Sequence, residues 1–138
     1  MIISRSLVAA AAFIGALGVS GMALAEDVSG TYLSQSGETR VRISPCGSAY
    51  CGVITWVSKP GNDVNNPDES KRSRPLVGLT MIYGMKSSGG DSYSGKLYDY
   101  TSGKTYTGKL KSGGNDLELS GCVLGGLICR SQTWKRVN

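Results

Sequence analysis

The sequence predicts an all-β domain, an antiparallel up-and-down barrel of about eight strands. Three observations lead there. Long helical periodicity is absent beyond residue 25. Short runs of alternating apolar and polar residues recur instead, separated by Gly, Ser, Asn, Asp and Pro. The runs are joined mostly by turn-like segments, so neighbours in sequence pair as hairpins, and a sheet of this length removes its exposed edges by closing on itself.

In chain order, residues 1–25 come first and read as a secretory signal peptide. Arg5 supplies a positive start, Leu7 to Val19 is almost wholly apolar, and Ala23-Leu24-Ala25 has the small-x-small pattern of a cleavage site. The segment is short and rich in Ala and Gly for a membrane span. Glu26, not Cys, follows the expected cut, so no lipid-anchoring thiol stands there. Removing 25 of the 138 residues leaves 113, enough for one domain over 26–138 with one core. The formal charge of +5 drops by one with Arg5, and the mature chain stays mildly basic. A periplasmic or secreted location follows from the leader. There the four cysteines are expected to form two disulfides.

Strands are read at about 29–34, 38–45, 51–58, 76–85, 92–99, 104–111, 115–122 and 129–137. In the hairpin of the second and third, pairing Cys46 with Cys51 sets Ile43 opposite Ile54 and Val41 opposite Trp56. Those four share one apolar face, while Arg40, Arg42 and both cysteines fall on the other.

The stretch DVNNPDESKRSRPLVG, Asp63 to Gly78, interrupts the strands. Asp63, Asn65 and Asp68 resemble the start of a calcium loop. The spacing fails as an EF-hand, with Asp68 where Gly belongs and Arg74 where Glu belongs. Asn66-Pro67-Asp68 favours a turn and Ser73-Arg74-Pro75 an extended exit. The stretch is expected to be a structured polar loop on the barrel rim, ordered by Asp63 or Asp68 pairing with Arg72 or Arg74.

The fifth and sixth strands carry Tyr-x-Gly-Lys-Leu twice, from Tyr93 and from Tyr106, around the turn Thr101-Ser102-Gly103. One register pairs Leu97 with Tyr106, Tyr93 with Leu110 and Gly95 with Gly108. Two opposed glycines mark a barrel bend or the wall of a ligand cavity, and the bend is the favoured reading. In the last hairpin, pairing Cys122 with Cys129 sets Leu117 opposite Trp134 and Leu119 opposite Gln132. Arg130, Gln132 and Arg136 then share a face with the tryptophan and the leucines, where polar groups need partners. The tip, Val123 to Ile128, is apolar and Gly-rich, unlike most loop tips.

The chain contains no histidine, which removes Ser-His-Asp and Cys-His catalysis and the usual zinc sites. Oxidised cysteines offer no thiolate nucleophile. No metal, cofactor or enzymatic activity is expected. The cations Lys71, Arg72 and Arg74 lack interleaved aromatics, so nucleic-acid binding is not expected either.

Four ordered segments, PCGSAYCGVITW, DVNNPDESKRSRPLVG, GKLYDYTSGKTYTGKL and RSQTWKRV, resemble the bacterial exported family known as domain of unknown function 2147. The resemblance covers essentially the whole mature chain. It departs at Tyr100, where the family often has Pro after Tyr-Asp, a change to a turn. The resemblance implies a small barrel of the lipocalin and calycin kind. Gly30-Thr31-Tyr32, with Arg136 near the end, is similar to the lipocalin Gly-x-Trp and its closing arginine.

The first functional expectation is a monomeric barrel that holds a small apolar or amphipathic molecule among Trp56, Tyr93, Tyr106 and Trp134. Arg130 and Gln132 would be its polar anchor. Against this stands size, because eight strands enclose little more than their own side chains unless small residues line the interior. The second expectation is an envelope-interaction or structural module without a pocket. It would use the apolar tip and the basic rim against an anionic envelope surface.

Overall fold

The computed structural model describes residues 28–137. Eight strands, β1 (Gly30–Leu33), β2 (Thr39–Cys46), β3 (Ala49–Val57), β4 (Thr80–Gly89), β5 (Ser92–Asp99), β6 (Lys104–Ser112), β7 (Asp116–Val123) and β8 (Ile128–Arg136), close into one barrel. Each strand pairs antiparallel with its chain neighbours, and β1 returns to β8. The expected leader, residues 1–25, lies outside the described residues.

Period-two alternation builds the core. Val41 and Ile43 on β2, Ile54 on β3, Ile82 and Met85 on β4, Leu110 on β6 and Leu117 on β7 are all buried to 1% exposure or less. One inward-facing apolar residue at every second position, contributed by each wall, is what an eight-stranded barrel needs to fill its interior.

The seam between β1 and β8 is short, with Tyr32 opposite Arg136 and Leu33 opposite Lys135. Arg136 reinforces it. Its guanidinium lies 4.9 Å from the Tyr32 ring centre and donates to the Ser29 carbonyl at 2.7 Å, while the Tyr32 hydroxyl donates to the Val28 carbonyl at 2.9 Å. A cation stacked on a buried aromatic, with its donors spent on backbone carbonyls, satisfies a charge that faces the barrel interior.

The β5–β6 and β7–β8 hairpins have the expected registers, residue for residue. The β2–β3 hairpin does not. Val41 faces Ile54 and Ile43 faces Gly52, a two-residue shift set by the tight turn that puts Cys46 opposite Ala49. Beyond Val41 one extra residue, Thr55, bulges between two ladder pairs, so Arg40 faces Trp56. A bulge switches the faces of everything beyond it. Trp56 therefore points outward, 39% exposed, with the Arg40 guanidinium 5.0 Å from its ring centre. Gly52 lets β2 and β4 meet over β3, since a Cβ there would stand 2.8 Å from Val41 Cγ1 and 2.9 Å from Ile82 Cβ. Cys46 and Cys51 are bonded, as are Cys122 and Cys129. The first pair sits diagonally across its ladder, with Cys46 opposite Ala49 and Cys51 opposite Ser44.

β4 also begins later than expected. Residues 76–79 form a turn closed by the Leu79 amide on the Leu76 carbonyl at 3.0 Å, with Gly78 at φ 99°. Leu76 and Leu79 still reach the core.

Candidate functional site

An up-and-down meander brings every second connection to the same end. The β1–β2 turn (34–38), the β3–β4 connection (58–79), the β5–β6 turn (100–103) and the β7–β8 tip (124–127) therefore surround one mouth. The other end is closed. There Tyr50 and Tyr93 pack edge to face, ring centres 5.7 Å apart, and Arg136, at the end of β8, bonds Ser29.

A cavity of about 540 Å³ opens at the mouth. Met81, Leu97, Leu119 and Trp134 line it and also belong to the packed core, so they divide the filled half of the barrel from the open half. The opposed glycines do not make this space. A Cβ on Gly108 would stand 2.6 Å from Leu97 Cγ and 2.8 Å from Met85 Cε. On Gly95 it would stand 2.6 Å from the Tyr83 carbonyl oxygen, where β4 bends through Gly84 at φ 68°. The pair is a bend filled by its neighbours.

Of the six residues expected to meet a ligand, four line the cavity together: Tyr106, Arg130, Gln132 and Trp134. Trp56 does not, because the Thr55 bulge turns it to the outer surface. Tyr93 does not line this cavity either. It keeps the expected register but lies at the closed end against Tyr50, and a position along the barrel axis cannot be read from one hairpin.

The polar groups of the cavity are unevenly committed. Trp134 donates its indole N–H to Gln132 Oε1 at 3.1 Å, which fixes the amide and leaves its NH₂ group to point elsewhere. Asp99 accepts from the Thr101 amide, the Thr101 hydroxyl and the Ser102 hydroxyl, so its carboxylate holds the β5–β6 turn. Thr39 and Tyr100 share a hydrogen bond of 2.7 Å between their hydroxyls, and Ser34 accepts the Thr39 amide at 3.1 Å. Among the described residues, Arg130 is engaged in neither of the two ion pairs. It is the cation of the cavity wall, next to Gln132 and across the ladder from Gly121.

The rim connection is ordered, but not by the expected pairs. Asp63, completely buried, accepts from the Tyr98 hydroxyl at 2.7 Å and the Asn66 amide at 2.8 Å. Arg72 donates from Nε to the Asn66 carbonyl at 2.7 Å and lies 3.9 Å from Glu69. Asp68 caps the 3-10 turn Glu69–Lys71, accepting from the Ser70 amide and hydroxyl. Those two bonds, the hydroxyl first, hold its carboxyl below the usual range. Arg74 contributes its backbone carbonyl, which accepts the Asp63 amide at 2.8 Å. Neutral donors serve a fully buried carboxylate here, while Arg72, about half exposed, spends its Nε on a backbone carbonyl and not on Asp63.

Burial and the bond to Asp63 push the Tyr98 hydroxyl up to about 12. Asn65 fastens the connection to the β5–β6 turn by donating to the carbonyls of Tyr100 and Thr101, both at 3.2 Å. The sequence reading missed Ser34, Thr39, Tyr98 and Tyr100. Their signal was topological, since two turns separated by several strands can share a mouth only in a closed meander. No group of three or more potential metal ligands occurs among the described residues.

Comparison with known proteins adds three findings. Residues 30–136 match the sequence model of a family described as uncharacterized protein conserved in bacteria, DUF2147. A solved structure, the protein HP1028 from Helicobacter pylori, described as belonging to the lipocalin family, is similar at a TM-score of 0.75 and 25% identity. The match covers 83% of this chain and 85% of that one. Comparison with curated proteins found no match.

Proposed function

The chain belongs to the bacterial DUF2147 family, with a lipocalin-like barrel, and we propose that it binds a small amphipathic molecule in the mouth of that barrel. One observation carries the reading: the barrel is packed in one half only, and the open half is a cavity of about 540 Å³ with an uncommitted arginine on its wall. Ligand sites for small molecules have this size and combine apolar lining with convergent polar groups. The apolar part of the ligand would lie on Leu97, Leu119, Tyr106 and Trp134. An acidic head would meet Arg130 and the free NH₂ of Gln132. We read the site as binding, not catalytic, because its most central polar groups are spent on one another. The two disulfides favour an oxidising compartment, so the periplasm or the extracellular space is the proposed location.

The test is a titration with a medium-chain fatty acid, followed by tryptophan fluorescence. Trp134 is in the cavity and Trp56 is outside it, so Trp56→Phe isolates the useful signal. Saturable quenching is expected, weakened about tenfold or more by Arg130→Gln, which removes a charge-assisted hydrogen bond. Gly121→Phe should abolish it by filling the mouth, since a side chain there starts 3.6 Å from the Tyr106 ring. No saturable signal, with no small molecule carried by the native protein in mass spectrometry, would end the proposal.

A further inference from the structure

The apolar tip is not absorbed by the cavity. Leu127 is 85% exposed, Leu124 67%, Ile128 57% and Val123 44%. Leu124 has φ 55°, the left-handed value that is unusual for a branched apolar residue, and is the one non-glycine of that kind among the described residues. Gly125 and Gly126 follow at φ 69° and 95°. The backbone thus holds Leu124 in an unfavourable conformation without burying its side chain. The tip is also braced. The Cys122–Cys129 disulfide lies at its base, and the Leu127 amide donates to the Leu124 carbonyl at 3.3 Å.

Charge says what could cover it. Glu118 is the last acidic residue of the chain, so the tip and all of β8 carry none. Arg130 follows the tip after Cys129. Lys109 reaches under it, with Nζ 3.8 Å from where a Cβ on Gly126 would stand. Among the described residues the two ion pairs engage Lys71 and Arg72, not these two.

We infer that the β7–β8 tip docks on an anionic phospholipid bilayer, with Leu124 and Leu127 in the acyl boundary and Lys109 and Arg130 at the headgroup phosphates. Apolar side chains beside unpaired cations suit that interface. A second copy of the chain suits it less. Tip-to-tip contact would bring like charges together, and four side chains fall well short of the area that a stable dimer buries. Val123 and Ile128 belong both to the tip and to the cavity wall, so apolar surface runs without a break from tip to mouth. The inference holds whether or not the cavity takes a ligand.

Flotation with vesicles of phosphatidylcholine and phosphatidylglycerol, against phosphatidylcholine alone, tests the inference. The protein should float with the anionic vesicles only. Leu124→Asp with Leu127→Asp should lower partitioning by about tenfold or more, as two buried leucines are lost. Arg130→Gln with Lys109→Gln should lower it less and remove its salt dependence. An unchanged near-ultraviolet circular dichroism spectrum checks the fold of each variant. In Leu127→Trp, quenching of the added fluorescence by brominated lipid is expected. Wild-type protein that never floats, a double aspartate variant that floats as well as wild type, or self-association through the tip without vesicle binding would each overturn the inference. Fatty-acid titration of the aspartate variant keeps the two proposals apart, because the cavity residues Arg130, Gln132 and Trp134 are untouched.

Discussion

The carboxylate of Asp63 is buried without a cation and depends on the Tyr98 hydroxyl and the Asn66 amide. Tyr98→Phe removes one donor and keeps the ring, so it should cost about 1–3 kcal/mol in urea denaturation, as a buried acceptor loses its partner. The same bond sets an alkaline limit. Tyr98 ionises at about 12 in the fold against an ordinary 10.0, so folding favours its protonated form. That contribution is complete below pH 10 and is lost as pH rises through about 12, amounting to about 2–3 kcal/mol. Tyr98→Phe should flatten the alkaline limb of the stability profile, and an unchanged limb would count against the assignment. Glycine positions separate just as sharply. Gly108→Ala should cost about 1–3 kcal/mol by overpacking Leu97 and Met85. Gly61→Ala, with nothing within 4 Å of the new carbon, should be near neutral and serves as the control.

The hairpins differ in how far their sequences constrain them. β5–β6 and β7–β8 were legible to the residue because each carries two agreeing constraints. In β5–β6 they are the Tyr-x-Gly-Lys-Leu repeat and the tight turn within it, and in β7–β8 a cysteine pair and leucine alternation in step with it. In β2–β3 the cysteine pair tolerates a diagonal as well as a direct placement, and Val53 to Val57 is apolar at both periods. Nothing in Ile-Thr-Trp marks Thr55 as an insertion, so Trp56 reads as core. The 58–79 connection was legible as a structured loop, but its partners were not. They are a tyrosine hydroxyl and backbone carbonyls, which leave no charge pattern in the sequence. The two disulfides close loops of about six and eight residues, so each should stabilise by about 2–2.5 kcal/mol. Reduction should lower the melting temperature, while far-ultraviolet circular dichroism still reports a sheet. Loss of that signal at room temperature would mean that the hairpins depend on the bonds.

At the scale of the whole molecule, closure and strand count follow from local alternation, but the division into a filled half and an open half does not. Cavity volume is set by the inward side chains of all eight strands at one height, and height along the axis depends on every register at once. A single bulge in β3 removed one aromatic from the expected site, and the closed end took another. The short β1–β8 seam has one further consequence. The Val137 amide donates to the Thr31 carbonyl at 2.8 Å, so the last described residue runs beside the start of β1, and among the described residues two ladder pairs hold that edge. Every other edge joins strands that follow one another in the chain. The chain should therefore accept circular permutation. A four-residue linker from Val137 to Val28, with new ends opened at Gly90 and Asp91 in an exposed turn away from the mouth, makes the strands of the weakest edge follow one another in the chain like the rest. Such a permutant should melt no lower than its parent and keep its fatty-acid titration, because the fold requires the cyclic order of its strands and not a particular place to begin.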